Sequence, residues 1–268
     1  MHLLRNTLEN LAANLAFDEA MVELADLRHE SDEGFVELLR LWEMPKKCVV
    51  LGRASKWEIE VNHTACEQDS VPVLRRMSGG ATIVAGPGCL MYSVLLNTNQ
   101  RPALRMLDVA HREVMTRIRD ASQAALIELN LPGEIVLQGT CDLTIDNRKF
   151  SGNALRCKRN WMLYHGTIMI SMPLEWVSTY LRQPPRQPDY RQNRTHDAFV
   201  TRLLNDQPVA THSLFRATLE LQLAKAWNAV DGDAPSDLCA KIDQHCKMLM
   251  ETRYNDPSWH RGPITQIS

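Results

Sequence analysis

Strand-like segments crowd the middle of this 268-residue chain and do not alternate strictly with helical ones. Leu39 and Leu41 alternate with Arg40 and Trp42, and Cys48-Val49-Val50-Leu51 is a short apolar run ending at Gly52. Both read as strands, as do Val71–Leu74, Leu90–Leu96, Ile135–Leu137, Leu143–Ile145 and Trp161–Ile170, with Asp146-Asn147 as a hairpin turn. A doubly wound sheet would need a helix after each strand. Here one long amphipathic stretch interrupts the run, marked by Leu107, Ala110, Val114, Ile118, Ala121, Ala125 and Ile127. The pattern therefore favours an α+β fold over a doubly wound sheet.

The flanks are helical. Leu4, Leu8, Leu11 and Leu15, continued by Phe17, Met21, Leu24 and Leu27, predict a helix over roughly residues 4–29, and the character changes beyond Gly34. Glu175–Leu181 reads as a short helix before the proline-rich loop 183–188. Ser213 is a good N-cap for a helix carrying Phe215, Leu219, Leu223, Trp227 and Val230, and a last helix spans roughly Ser236 to Met250. No linker divides the chain, so residues 1–268 read as one domain, with a core over about 1–182 and C-terminal helices over about 183–268.

Bulk properties exclude several classes. Thirty basic residues against thirty-two acidic ones give a net charge of -2, unlike a general nucleic-acid binder. The seven cysteines form no C-x-x-C pair, so neither a disulfide framework nor a metal site is expected. Without a signal-peptide pattern or a bilayer-length apolar stretch, the expected location is cytoplasmic, with no membrane partner.

Two segments stand out chemically. In Arg75-Arg76-Met77-Ser78-Gly79-Gly80-Ala81-Thr82 the glycines allow backbone N–H groups to approach an anion, and the arginines can supply charge-assisted hydrogen bonds. Ser-Gly-Gly on its own is more often a plain turn. The second runs from Gly139-Thr140-Cys141-Asp142-Leu143 through Arg148-Lys149-Phe150-Ser151-Gly152-Asn153-Ala154 to Tyr164-His165-Gly166-Thr167. Lys149, beside small residues, is placed to stabilise charge developing on a carbonyl or phosphate, or it is a solvated hairpin lysine. His165, in an otherwise apolar strand, reads more readily as a hydrogen-bonded structural histidine than as a base. These residues indicate an anionic-ligand site and leave the reaction open.

The same segments, in the same order, resemble the signatures of the lipoate–protein ligase and octanoyltransferase family. Arg75 to Thr82 resembles its arginine and serine-glycine-glycine signature, Gly86 to Ser93 the stretch that follows, Asp142 with Arg148–Ala154 its lysine motif, and His165-Gly166-Thr167 its histidine-glycine motif. Asn14 to Glu19, Leu41-Trp42 and Val50 to Arg53 also fit, so the likeness covers roughly residues 10–182. It implies an α+β fold with a mixed, largely antiparallel sheet flanked by helices, shared with biotin–protein ligases and class II aminoacyl-tRNA synthetase cores. It further implies attachment of a lipoyl or octanoyl group to a lysine of an apo lipoyl-domain protein, of the 2-oxoacid dehydrogenase E2 or glycine-cleavage H-protein type. In the ligases ATP, with Mg²⁺, activates lipoate or octanoate as an acyl-adenylate, and no tightly bound prosthetic group takes part.

Carried over, Lys149 is the catalytic residue, contacting the acyl carbonyl and α-phosphate. Arg75, Arg76, Ser78, Gly79, Gly80 and Ala81 line the acyl and phosphate side, Asp142 meets the adenosine, Ser151, Gly152 and Asn153 continue the lysine motif, and His165 and Gly166 wall the acyl tunnel. Ala81 replaces a frequent third glycine, and Ala85-Gly86 a histidine-aspartate pair of some ligases. Met250 to Trp259 resembles the junction with a C-terminal accessory domain, so the chain is expected to lack that domain, and a separate accessory subunit is a candidate partner. Two alternatives stand beside the ligase. One is an octanoyl or lipoyl transferase working from a carrier protein through a thioester, for which Cys141, read as a strand residue, is the one credible nucleophile. Recognised transferases carry their cysteine elsewhere, where this chain has Leu137 or, across 167–238, no cysteine. The other is a silent lipoyl-domain binding module, disfavoured by the retained Lys149 and arginines.

Overall fold

In the computed structural model, which describes residues 1–28, 36–205, 207–231 and 236–262, eight strands form one twisted sheet. In chain order they are β1 (His2–Arg5), β2 (Leu38–Glu43), β6 (Cys89–Asn97), β7 (Val136–Gln138), β8 (Asp142–Ile145), β9 (Arg148–Cys157), β10 (Trp161–Met169) and β11 (Val230–Asp231). Their spatial order is β11-β1-β2-β6-β10-β9-β8-β7. β1 runs parallel to β2 and β11, and every other neighbouring pair is antiparallel. A smaller sheet, β4-β3-β5, comprises β3 (Cys48–Leu51), β4 (Val73–Arg75) and β5 (Ile83–Ala85). The mixed, largely antiparallel sheet is the one the family resemblance implies, and it agrees with the α+β reading of the strand pattern.

Alternation along the central strands builds two cores. From β2, β6 and β10, the side chains of Leu38, Trp42, Met91, Leu95, Trp161 and Leu163 face α1 (Leu11–Arg28) and the small sheet. Leu39, Leu41, Tyr92, Val94, Met162 and Tyr164 face the opposite way. There α4 (Leu107–Glu128) packs with α7 (Val209–Ala226), while α8 (Ser236–Leu249) packs along α1. Both C-terminal helices thus lie against the sheet's own covering helices. Short helices fill the connections: α2 (Trp57–Glu60), α3 (His63–Gln68), α5 (Glu175–Tyr180), α6 (His196–Phe199) and α9 (Pro257–Arg261). Among the described residues no helix is long and apolar enough to cross a membrane.

Local chemistry explains where the structure departs from periodicity. Residues 2–5 form a strand, because backbone pairing on both edges outweighs the leucine spacing. The helix begins at Leu11, where the Asn10 side chain accepts from the Ala12 and Ala13 N–H groups as an N-cap. Its expected end at residue 29 and the change at Gly34 lie outside the described residues. α7 starts at Val209, immediately after Pro208, rather than at Ser213, and Val230 belongs to β11. Cys141 sits in the turn before β8, not in the strand. The β8–β9 hairpin turns at Asp146-Asn147, both at positive φ (52° and 57°) as a two-residue hairpin loop requires.

Candidate active site

Where the small sheet meets β9 and β10, two cavities adjoin and share Ala81, Ile83, Lys149, Gly152 and Thr167 as walls. The inner cavity, about 70 Å³, is walled by Trp42, Met91, Tyr92 and Ala154, with Arg76, Asn153, His165 and Gly166 as its polar and backbone side. The outer one, about 110 Å³, adds Glu60, Thr82, Arg182, Arg191, His196 and Phe199. An open cleft of about 520 Å³ continues from it past Glu60, Gly80, Lys56 and Arg186. Both compartments are mainly apolar, the outer one also through Val84, Met169, Val177 and Leu181, and the outer one adds Arg182, Arg191 and His196, with Lys149 at their junction.

Lys149 projects from β9 with its Nζ 2.7 Å from Asp142 Oδ1, and the Tyr190 hydroxyl donates to Asp142 Oδ2 at 2.7 Å. Asp142 therefore parks the ammonium beside the cavity. The strand makes room for it: a Cβ built on Gly152 would lie 3.0 Å from both Cε and Nζ of Lys149. Asn153 braces the inner wall, donating to the Cys141 carbonyl (2.7 Å) and to Ser151 Oγ (3.1 Å) while accepting from the Tyr92 hydroxyl.

The glycine loop is fixed by Arg76. Its Nη2 donates to the Gly79 and Ala81 carbonyls (2.5 and 3.0 Å), Nη1 to Val50 O (3.3 Å) and Nε to Ser78 Oγ (3.1 Å). Burial lowers the Arg76 pKa to about 10, which leaves the guanidinium charged at neutral pH. Gly80 holds φ at +88°, a conformation that favours glycine. Ser78 Oγ lies 2.6 Å from His165 Nε2, and His165 Nδ1 lies 3.2 Å from Asp18 Oδ2.

Of the residues expected from sequence, Arg76, Ala81, Lys149, Gly152, Asn153, His165 and Gly166 line the paired cavities, and Gly80 lines the open cleft. Ser78, Asp142 and Ser151 stand one step behind, bonded to His165, Lys149 and Asn153 respectively. Gly79 contributes a carbonyl to Arg76, and nothing lies within 4 Å of a Cβ built on it. Arg75 is not brought to the cavities. Its guanidinium donates to the carbonyls of Gly52, Arg53, Ser55, Trp259 and Arg261, tying the loop after β3 to α9. Cys141 stays behind Asn153, its thiol donating to the Asn153 carbonyl at 3.2 Å, and burial pushes its pKa up to about 11. Among the described residues, no group of three His, Cys, Asp or Glu side chains could hold a metal ion.

Sequence reasoning passed over Asp18, Arg40, Tyr190, Arg191 and His196. The first two carried a readable signal: a carboxylate on the apolar face of α1 and an arginine between apolar strand residues must pair when buried. The others lie just after the proline-rich loop, on one-turn elements too short to show a period.

The fold and the paired cavities, with a lysine at their junction, are those of an α+β domain with one candidate site. Residues 10–221 match the lipoyl protein ligase A/B catalytic domain, and the chain belongs to that family. A Schizosaccharomyces pombe protein named for lipoate-protein ligase A is 33% identical over 138 residues, 51% of this chain and 34% of that protein, so the chain spans about a third of that relative's length. An Oceanobacillus iheyensis octanoyltransferase LipM is 24% identical over 201 residues, 71% of either chain. Among solved structures, the bipartite lipoate protein ligase of Thermoplasma acidophilum, described with its E2 lipoyl domain, superposes with a TM-score of 0.76 at 17% identity, covering 100% of this chain and 98% of that one. That likeness gives the fold.

Proposed function

We propose that the chain attaches a lipoyl or octanoyl group to a lysine of an apo lipoyl domain, through an acyl-adenylate made from the free acid and ATP. The observation that carries this reading is the position of Lys149 between the two cavities, with no cysteine among the described residues that line them. The apolar walls of the inner compartment suit aliphatic carbons of the acyl group, with its carboxylate beside Lys149. The outer compartment, with Arg182, Arg191 and His196, suits phosphate and nucleoside.

In the first step a carboxylate oxygen attacks the α-phosphorus and pyrophosphate leaves; Mg²⁺ would enter with the nucleotide and neutralise part of its charge. In the second, the acceptor lysine's neutral amine attacks the acyl carbonyl, AMP departs, and the nitrogen loses a proton. Both steps build negative charge on oxygens at one point. Lys149 leaves Asp142 to meet that charge and returns afterwards, with Asp142 as its resting partner and Tyr190 holding the other Asp142 oxygen. The E2 and H-protein types of lipoyl domain are the acceptors implied by the family. Because α7 packs on α4 and α8 on α1, we take the C-terminal helices as part of the same catalytic unit.

The transferase reading has its own support in the octanoyltransferase relative. It requires a reactive thiolate, and burial raises the pKa of Cys141 to about 11 and that of Cys89 to about 12. Lipoate-dependent exchange of label between pyrophosphate and ATP tests the choice. Exchange is expected; its absence, with acylation proceeding from an octanoyl carrier protein, would favour the transferase.

A further inference from the structure

The cavity wall is held from behind by a row of buried polar groups. On the face of the sheet turned toward α1, Arg40, Ser93 and His165 are direct cross-strand neighbours on β2, β6 and β10. The positions around them on that face, Leu38, Trp42, Met91, Leu95 and Leu163, are apolar core. Asp18 reaches this row from α1, accepting from Arg40 Nη1 (2.7 Å), Ser93 Oγ (2.7 Å) and His165 Nδ1 (3.2 Å). Arg40 and Asp18 are 0% and 2% exposed. A buried ion pair is weak evidence for stability, since apolar residues of similar volume often do as well, so packing alone does not call for these groups.

From Asp18 the contacts lead outward without a gap. His165 Nε2 meets Ser78 Oγ, Ser78 Oγ meets Arg76 Nε, and Arg76 Nη2 holds the carbonyls of the glycine loop. The direction of each hydrogen bond follows from its ends. Burial pushes the Asp18 carboxyl up, but Arg40, His165 and Ser93 together hold it below the ordinary value, so it only accepts. A guanidinium only donates, so Ser78 Oγ accepts from Arg76 and is free to donate its own proton. With a neutral imidazole, every group is satisfied when His165 carries its proton on Nδ1 and accepts the Ser78 hydroxyl at Nε2. The order of groups is that of a nucleophilic triad. However, Ser78 is 1% exposed and lines neither cavity, so the array orients rather than attacks.

We propose that Asp18 is a positioning residue: it fixes the Nδ1–H tautomer of His165 and, through Ser78, holds Arg76 and the glycine loop in the geometry that the acyl group needs. The proposal rests on reading the inner cavity as the acyl site.

The test is ¹⁵N NMR of the full chain with labelled histidine at neutral pH, assigning the His165 signals by their loss in His165→Gln. A protonated Nδ1 and an unprotonated Nε2 are expected; a protonated Nε2 would overturn the proposal. In Asp18→Asn the amide keeps an oxygen for Arg40 and turns an N–H toward His165. The tautomer should then switch to Nε2–H and kcat for acyl transfer should fall tenfold or more, with KM for the acceptor domain within twofold. An unchanged tautomer, or a switched one with unchanged kcat, would contradict it. Should Asp18→Asn not fold, Ser78→Ala serves: the wild-type tautomer should persist while kcat falls tenfold, and kcat within twofold of wild type would sink the idea. The tautomer does not depend on the acyl donor. A chain lacking lipoate-dependent pyrophosphate exchange but keeping the Nδ1–H tautomer would therefore count against the adenylate, not against Asp18.

Discussion

Gly152→Ala is a graded probe of the lysine, because the structure predicts opposite effects on stability and activity. The added Cβ would lie 3.0 Å from Cε and Nζ of Lys149, whereas ordinary contact begins at 3.4 Å, so the ammonium must retreat by about 0.4 Å. A flexible lysine end gives way cheaply. Gly152 is not one of the positive-φ glycines, so alanine suits its backbone and should raise stability by about 0.4–1 kcal/mol through the unfolded state, less the small cost of the contact. Catalysis should respond the other way. If a misplacement near 1 Å costs about a hundredfold, 0.4 Å costs roughly five- to tenfold in kcat. Acyl transfer to an apo lipoyl domain and urea unfolding, run on the same preparation, measure both. In a Lys149→Ala background the methyl has nothing to displace, so the added loss from Gly152→Ala should vanish. Full activity in the single variant, or an undiminished loss in the double variant, would refute the placement of Lys149 argued above.

Lys149→Ala should fold and lose on the order of a hundredfold or more in kcat, with poor rescue by arginine, whose planar fork does not replace a compact ammonium; steady-state kinetics with a thermal-melt control would show it. Cys141→Ser should keep most activity, and intact-mass analysis after exposure to octanoyl carrier protein should find no acyl adduct on wild-type Cys141. Arg75→Met should act on the fold, costing about 2–4 kcal/mol in denaturant unfolding as its carbonyl partners lose their donor. Burial lowers the pKa of His196 and His260 below 6.5 in the folded chain. The unfolded state then binds more protons, so stability is full above pH 6.5 and falls as the pH drops below it. Unfolding free energies at pH 7.5 and 5.5 should differ in that sense, and His260→Gln should reduce the difference.

How much of this was legible in the sequence depends on what each residue answers to. The central strands were readable because β2, β6 and β10 are buried on both faces and their apolar residues dominate. β1 was misread because its conformation comes from pairing with Leu38–Leu41 and Val230, partners that no local pattern reveals. The motif residues of the cavity were readable as a set, and Lys149, Gly152 and His165 do meet at one wall. Arg75 and Arg76 look alike in sequence, yet adjacent strand-end positions point opposite ways, one guanidinium into the glycine loop and the other toward α9. Asp18 lay within the Asn14–Glu19 segment that resembles the family, but no role for it could be read beyond that of a charge on an apolar helix face. Its partners lie 22, 75 and 147 residues away, a separation that only the folded sheet closes.

The most direct test of the central claim supplies one apo lipoyl domain with two donors in parallel: lipoate with ATP and Mg²⁺, and octanoyl carrier protein without nucleotide. The adenylate account predicts that the acceptor gains the acyl mass only with the first donor, with one AMP released per lysine modified. Acylation from the carrier alone, accompanied by an acyl adduct on a cysteine of this chain, would contradict it.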